Sequence, residues 1–213
     1  MPPPGPGKMV EIDLRFAFDY VDPGSYLAFK LLERRVPSLP VPVRMTWIHL
    51  ELRVPWSAPI DADEVGWSEM TGLIRDHARI ERIPFSTPTQ IPRTRKAHEL
   101  ALHAKEKGCF EPVHLALFEA HFQDGLDIGR IDVLVGIGAE SGLDRSEART
   151  VLGVDRFSAT VDSLRAEALG QGIRGVPTII GPNGAAEGFH GPESLLDFID
   201  VLPNGERGSN PAP

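Results

Sequence analysis

The chain has 213 residues, 41% of them apolar, enough for one full-sized core, or one core with a sizeable insertion, without disulfides or a metal. Lys and Arg total 22 against 30 Asp and Glu, with neither sign gathered into a long block, so a nucleic acid or an anionic membrane would meet a repelling average field. A single cysteine, Cys109, rules out an internal disulfide, the start lacks the apolar core of a signal peptide, and no stretch approaches the roughly 18 apolar residues of a membrane span; the expectation is a cytoplasmic protein.

Residues 1–8 are rich in Pro and Gly and residues 203–213 are polar, so both read as disordered tails. Between Val10 and Tyr20 the apolar residues Ile12, Leu14, Phe16, Phe18 and Tyr20 alternate, the period of a strand with one face buried. Asp22 then supplies a helix cap with Pro23 at the first helical position, and an amphipathic run continues through Tyr26, Leu27, Phe29 and Leu32 to a stop before Pro37. Residues 41–52, with Val43, Met45, Trp47 and Ile48, give a second strand.

From about Asp63 to Gly172 the period becomes helical, predicting helices over 63–80, 93–107, 112–123, 131–141, 144–152 and 155–171. Caps are expected at Asp144, with Glu147 three residues on, and at Asp155. The basic run Arg93-Thr94-Arg95-Lys96 at the start of one helix is expected to be a solvated face rather than an anion pocket. After the helical block, 175–180 reads as a short strand, Pro182-Asn183-Gly184 as a hairpin turn, 185–189 as its partner and 192–202 as a closing helix. The pieces assemble as an α/β fold: a mixed four-stranded sheet from 9–60 and 173–202, interrupted by an all-helical insertion at 61–172.

Three segments carry a resemblance: Phe18-Asp19-Tyr20-Val21-Asp22-Pro23-Gly24-Ser25-Tyr26-Leu27-Ala28, the stretch from Thr94-Arg95-Lys96-Ala97-His98 through Phe110 to Phe118, and Gly175-Val176-Pro177-Thr178. With the order of elements they resemble, over about residues 10–202, the thioredoxin-like DsbA family, in the branch of FrnE-type proteins, 2-hydroxychromene-2-carboxylate isomerases and kappa-class glutathione transferases. The resemblance implies a cis Val176–Pro177 peptide beside the first helix, with the Val176 backbone free to pair with an extended ligand, and a ligand cleft between sheet and insertion. Trp47, Trp56, Trp67 and Phe85 bracket the start of that insertion, where aromatic walls would suit a planar aromatic or polyketide-like molecule.

The relatives that exchange disulfides carry a Cys-x-x-Cys pair where this chain has Asp22-Pro23-Gly24-Ser25. A carboxylate forms no mixed disulfide, so thiol–disulfide exchange at this motif is excluded. In glutathione-using relatives the first position is a serine that holds a thiolate; an ionised Asp22 would repel it, and the helix terminus is expected to lower the carboxyl's pKa further, so glutathione as a cofactor is disfavoured. Arg93 stands where the FrnE-like pattern has Asn, and either holds an anionic group of a ligand or pairs with Asp22. The histidines lack the paired spacing of a helical metal site, so no metal is expected.

The functional expectation is an isomerase- or transferase-type enzyme for a small aromatic molecule, with Asp22 and Ser25 as catalytic residues and Val176, Pro177, Arg93 and Trp47 binding the substrate. The alternative is a non-catalytic binding protein in which Asp22 is a helix cap only. A homodimer follows by analogy alone.

Overall fold

The alternation that marks the first strand produces it: β1 (Ile12–Phe18) buries Ile12, Leu14, Phe16 and Phe18 on one face while Asp13 remains exposed. This is a computed structural model of the chain, and it describes residues 11–52, 65–182 and 184–201. The two expected tails, Trp56 and Asn183 of the expected hairpin turn lie outside the described residues.

β1 pairs in parallel with β2 (Val43–His49), from Ile12 opposite Val43 to Phe18 opposite His49. A parallel pair needs a crossover, and α1 (Pro23–Arg35) supplies it. The chain does not stop at Pro37: Val36–Ser38 form one 3-10 turn, in which a proline near the start is tolerated because its missing N–H would have had no helical partner.

The helical block follows as α2 (Val65–Ile80), α3 (Arg95–Lys107), α4 (Phe110–Phe122), α5 (Ile131–Glu140), α6 (Arg145–Gly153) and α7 (Ser158–Gly170). The Asp144 cap is formed, its side chain accepting from the Glu147 N–H at 2.7 Å. The Asp155 cap is not. Asp155 takes a left-handed φ of 54° in the turn before α7 and turns its carboxylate to Lys96, so α7 begins three residues later than the sequence suggests.

β3 (Thr178–Gly181) runs antiparallel to β1, and β4 (Gly184–Glu187) antiparallel to β3, which gives the sheet order β2-β1-β3-β4 before α8 (Pro192–Val201). Strand β3 starts at Thr178 rather than at residue 175. Pro177 has no N–H for a ladder bond, and the Thr178 hydroxyl instead donates to the Gly175 carbonyl at 2.8 Å, closing a bend over residues 175–177.

The mixed four-stranded sheet with a helical insertion is therefore the architecture observed. One apolar core runs through both parts, from Leu14, Phe16 and Phe18 of β1 and Leu27 and Leu31 of α1 to Leu100 of α3, Leu117 and Phe118 of α4 and Leu134 of α5. Phe118 stacks on Phe29 of α1 at 5.5 Å, so the insertion is packed onto the crossover helix rather than hung from it. No helix among the described residues is long and apolar enough to cross a membrane.

Candidate functional site

Asp22 caps α1 from an extended backbone conformation (φ −85°, ψ 114°), and its Oδ2 accepts from the Ser25 N–H at 2.5 Å. The residue is only 5% exposed. Burial pushes its carboxyl from 3.8 up to about 7, against the lowering effect of the Ser25 hydroxyl and of the Ser25 and Gly24 N–H groups, while the charge of Asp19 pushes it further up. The expectation of a lowered pKa is thus corrected: the helix terminus does favour the carboxylate, but removal from water outweighs it. The Ser25 hydroxyl lies near enough to influence the carboxyl, yet it makes no hydrogen bond of good geometry and is fully buried.

Gly24 lets the bend at 175–177 come close. A Cβ on Gly24 would stand 3.0 Å from Cδ of Pro177, 3.2 Å from Cβ of Phe189 and 3.3 Å from Oδ2 of Asp22. The Val176–Pro177 peptide is cis, and the Pro177 carbonyl accepts from the Gly188 N–H at 2.8 Å. The Val176 backbone makes no hydrogen bond to another described residue. Asp22, Ser25 and Pro177 are therefore gathered at the start of α1.

Trp47 is not with them. It lies in the wall of a cavity of about 350 Å³ between α1, β2 and α4, beside Phe29 and His114. Phe29 is seven residues beyond Asp22 on α1, or about 10 Å along the axis at 1.5 Å per residue. Arg93 lies exposed just ahead of α3. The next two cations in that run meet carboxylates and form no solvated face. Arg95 is 9% exposed and binds Glu51 (Nε to Oε2, 2.7 Å) and Asp162 (2.6 Å). Lys96 pairs with Glu99 at 3.0 Å and with Asp155. Arg95 is buried and Lys96 half-buried because α3 packs against α4, α5, α6 and α7, and their partners Glu51, Asp155 and Asp162 are distant in sequence.

Nothing in the sequence ties His49 to the motif, and His98 reads only as a residue of a helix. In the structure the Nδ1 atoms of these two buried rings face each other at 3.0 Å, and Nε2 of His98 lies 3.2 Å from Oδ1 of Asp19, three residues before Asp22. Oδ2 of Asp19 accepts from the Leu52 N–H at 2.7 Å. One histidine of the pair must offer a proton and the other a lone pair. The signal for His49 was present, since Val43, Met45, Trp47 and His49 share one face of β2 by alternation. Cys109 is half-buried at the cap position of α4, its N–H donating to the Ala104 carbonyl.

A family model for the DSBA-like thioredoxin domain matches residues 13–200. The uncharacterized protein YwbO of Bacillus subtilis (strain 168) is 26% identical over 146 residues, 66% of this chain and 72% of that protein. Among solved structures, a probable DsbA oxidoreductase from Streptomyces coelicolor superposes with a TM-score of 0.77 at 20% identity, covering 95% of this chain and 94% of its own. A 2-hydroxychromene-2-carboxylate isomerase superposes at 0.74 with 17% identity, covering 90% and 94%. The cytosolic disulfide reductase DsbM of Pseudomonas aeruginosa, solved with glutathione, superposes at 0.62 with 19% identity, covering 89% and 98%.

Proposed function

Because the chain belongs to the DSBA-like thioredoxin domain family, and its fold is shared by a probable DsbA oxidoreductase and an isomerase, we propose that it is an isomerase-type enzyme in which proton transfer by Asp22 stands where disulfide-exchanging relatives use a thiol. The observation that carries this reading is a buried carboxyl at the start of α1 with a pKa of about 7, where an acid is equally ready to lose and regain a proton near neutral pH. Ionised Asp22 takes a proton from one carbon of a conjugated aromatic substrate, and the resulting acid returns it at another position. The net change is a shifted double bond, with no oxidant and no co-reactant. The bend at Val176–Pro177 offers the Val176 backbone, and Ser25 its buried hydroxyl, both without a hydrogen-bond partner among the described residues, to orient the substrate's polar groups.

A glutathione thiolate fits only beside a protonated Asp22, which can donate to it; the ionised carboxylate, with Asp19 adding charge of the same sign, repels it. The non-catalytic alternative draws on the cap geometry, Asp22 to the Ser25 N–H with Pro23 following, which accounts for the side chain without chemistry.

The test is turnover of a panel of small conjugated aryl ketones, followed by absorbance. One of them is expected to be isomerised at a rate that rises with pH to a plateau above about 7, and Asp22→Asn is expected to lower kcat about 100-fold or more. Equal turnover by wild type and Asp22→Asn sinks the mechanism, and binding without turnover across the panel leaves the binding protein as the answer.

A further inference from the structure

Asp19 closes the same turn as Asp22: the Asp22 N–H donates to the Asp19 carbonyl at 3.2 Å between β1 and α1. The Asp19 carboxyl is fully buried and meets two other elements. Its Oδ2 accepts from the Leu52 N–H beyond the end of β2 at 2.7 Å, and its Oδ1 lies 3.2 Å from Nε2 of His98 on α3. His98 in turn faces His49, the last residue of β2, Nδ1 to Nδ1 at 3.0 Å. Nε2 of His49 is buried without a partner among the described residues. Asp19, His98 and His49 have no place in the proton transfer of Asp22, yet three ionisable side chains are buried in one chain of contacts that ends beside it.

The direction of these hydrogen bonds follows from the atom each arrangement leaves over. If Asp19 were the acid, its O–H would donate to His98, Nδ1–H of His98 would donate to His49, and an N–H on His49 would be stranded. An imidazolium at His98 would strand the same N–H. If Asp19 is the carboxylate and both rings are neutral, His49 donates to His98, His98 donates to Asp19, and only a lone pair on His49 is left. A buried N–H without an acceptor is the rarer remainder. Burial, which holds the His49 pKa well below the usual value, agrees with a neutral ring there.

The other ionisable groups nearby are occupied elsewhere. Glu51 is bound by Arg95 at 2.7 Å, Tyr20 and His114 pair at 2.8 Å, Nδ1 of His121 lies 3.4 Å from the Leu126 carbonyl, and Lys105 is exposed. Asp22 itself is faced by Ser25, Pro177 and Phe189, which carry no charge. Burial is the main reason that the Asp22 carboxyl is pushed up to about 7, and the charge beside it that adds to this is Asp19.

We propose that His98, oriented by His49, is a positioning residue for Asp22: its Nε2–H fixes Asp19 as a carboxylate, whose charge helps to keep the proton on Asp22. For catalysis this rests on the reading of Asp22 as the proton carrier, but the effect falls on the carboxyl itself and is read there without a substrate.

The experiment is carbon-13 NMR titration of the Asp22 carboxyl in the full chain. Asp19→Asn is expected to lower the midpoint by about half a pH unit. His98→Phe leaves Asp19 buried without its donor and ready to take up a proton, so it is expected to lower the midpoint as much. His98→Gln, whose amide can donate in place of Nε2, is expected to keep it near that of wild type. In the Asp19→Asn background, His98→Phe is expected to move it no further. An unchanged midpoint in Asp19→Asn overturns the proposal. So does a further fall in the double variant, which would mean that His98→Phe merely admits water to Asp22. Nitrogen-15 spectra of the wild-type histidines test the chain without any variant: protons are expected on Nδ1 of His49 and Nε2 of His98, and a proton on Nε2 of His49 overturns the proposal. Absence of turnover across the substrate panel would sink the isomerase reading alone, because these titrations need no substrate.

Discussion

Two groups of buried polar side chains follow β1 and β2, and they treat their charges in opposite ways. At Arg95 the charges are matched: the guanidinium spans Glu51, Asp162 and the Ser158 carbonyl and hydroxyl, and the Glu51 carbonyl accepts from Arg165. At Asp22 a carboxyl is buried with only N–H and hydroxyl groups nearby, and the adjacent charge, Asp19, has the same sign. The first arrangement fixes α3 and α7 to the end of β2. The second leaves an acid that titrates near neutrality and weakens the fold as the pH rises. Matched charge is architecture here, and unmatched charge is the candidate for function.

The largest expected effect comes from removing the unmatched charge. A carboxyl that binds its proton more tightly folded than unfolded adds stability that is complete below about pH 4 and lost as the pH rises to 7. From 3.8 to about 7 that loss is about 4 kcal/mol at ~1.4 kcal/mol per pH unit. Asn caps a helix as well as Asp does, so Asp22→Asn should lack this decline. The buried His49, His114 and His121, all held below the usual histidine pKa by burial, act in the other direction and withdraw stability as the pH falls below 6.5. They are common to both proteins and cancel in the difference. Urea unfolding from pH 4 to 8 should show Asp22→Asn gaining on wild type as pH rises; a difference that stays flat across that range would sink the account of Asp22.

Removing the matched charge should cost somewhat less, with the opposite sign. Arg95→Met leaves Glu51, fully buried, without its cation. Burial already holds the Glu51 carboxyl above its usual range with Arg95 present. Stranding a buried partner costs about 3 kcal/mol, the lower end for such pairs because Asp162 is half exposed and resolvates. A loss below about 1 kcal/mol by urea unfolding would show that the cluster is an ornament of the surface and dissolve the contrast with Asp22.

The contrast also explains what could be read ahead of the structure. The Asp22-Pro23 cap, the alternation from Ile12 to Phe18 and the Asp144 cap are local patterns, and each formed. The state of Asp22 is not local. The rule that a helix terminus lowers a carboxyl's pKa was overridden by burial, to which Pro177 and Phe189, more than 150 residues on, contribute where they close on Gly24. Arg95 and Lys96 read as a solvated run because their partners stand 44 to 67 residues away, at Glu51, Asp155, Ser158 and Asp162. Trp47 read as a substrate-binding residue because it brackets the start of the insertion, where the resemblance puts the ligand cleft, and nothing in the sequence states how far along α1 a side chain of β2 falls.

The smallest expected effect falls on Gly24, the position that lets the unmatched carboxyl be covered. Inside a helix, Gly→Ala ordinarily stabilises by about 1 kcal/mol. Here the new methyl would stand 3.0 Å from the rigid Pro177 ring and 3.2 Å from Phe189, so the bend at 175–177 must retreat from α1. The retreat admits water to Asp22, which lowers its pKa toward the ordinary value and recovers part of the desolvation cost. The two consequences nearly offset in stability near pH 7, where Gly24→Ala should lie within about 1 kcal/mol of wild type, while the carboxyl titration followed by carbon-13 NMR should fall clearly below 7. If the variant kept the titration of wild type, closure by Pro177 would not be what holds the acid, and burial from elsewhere around α1 would have to be.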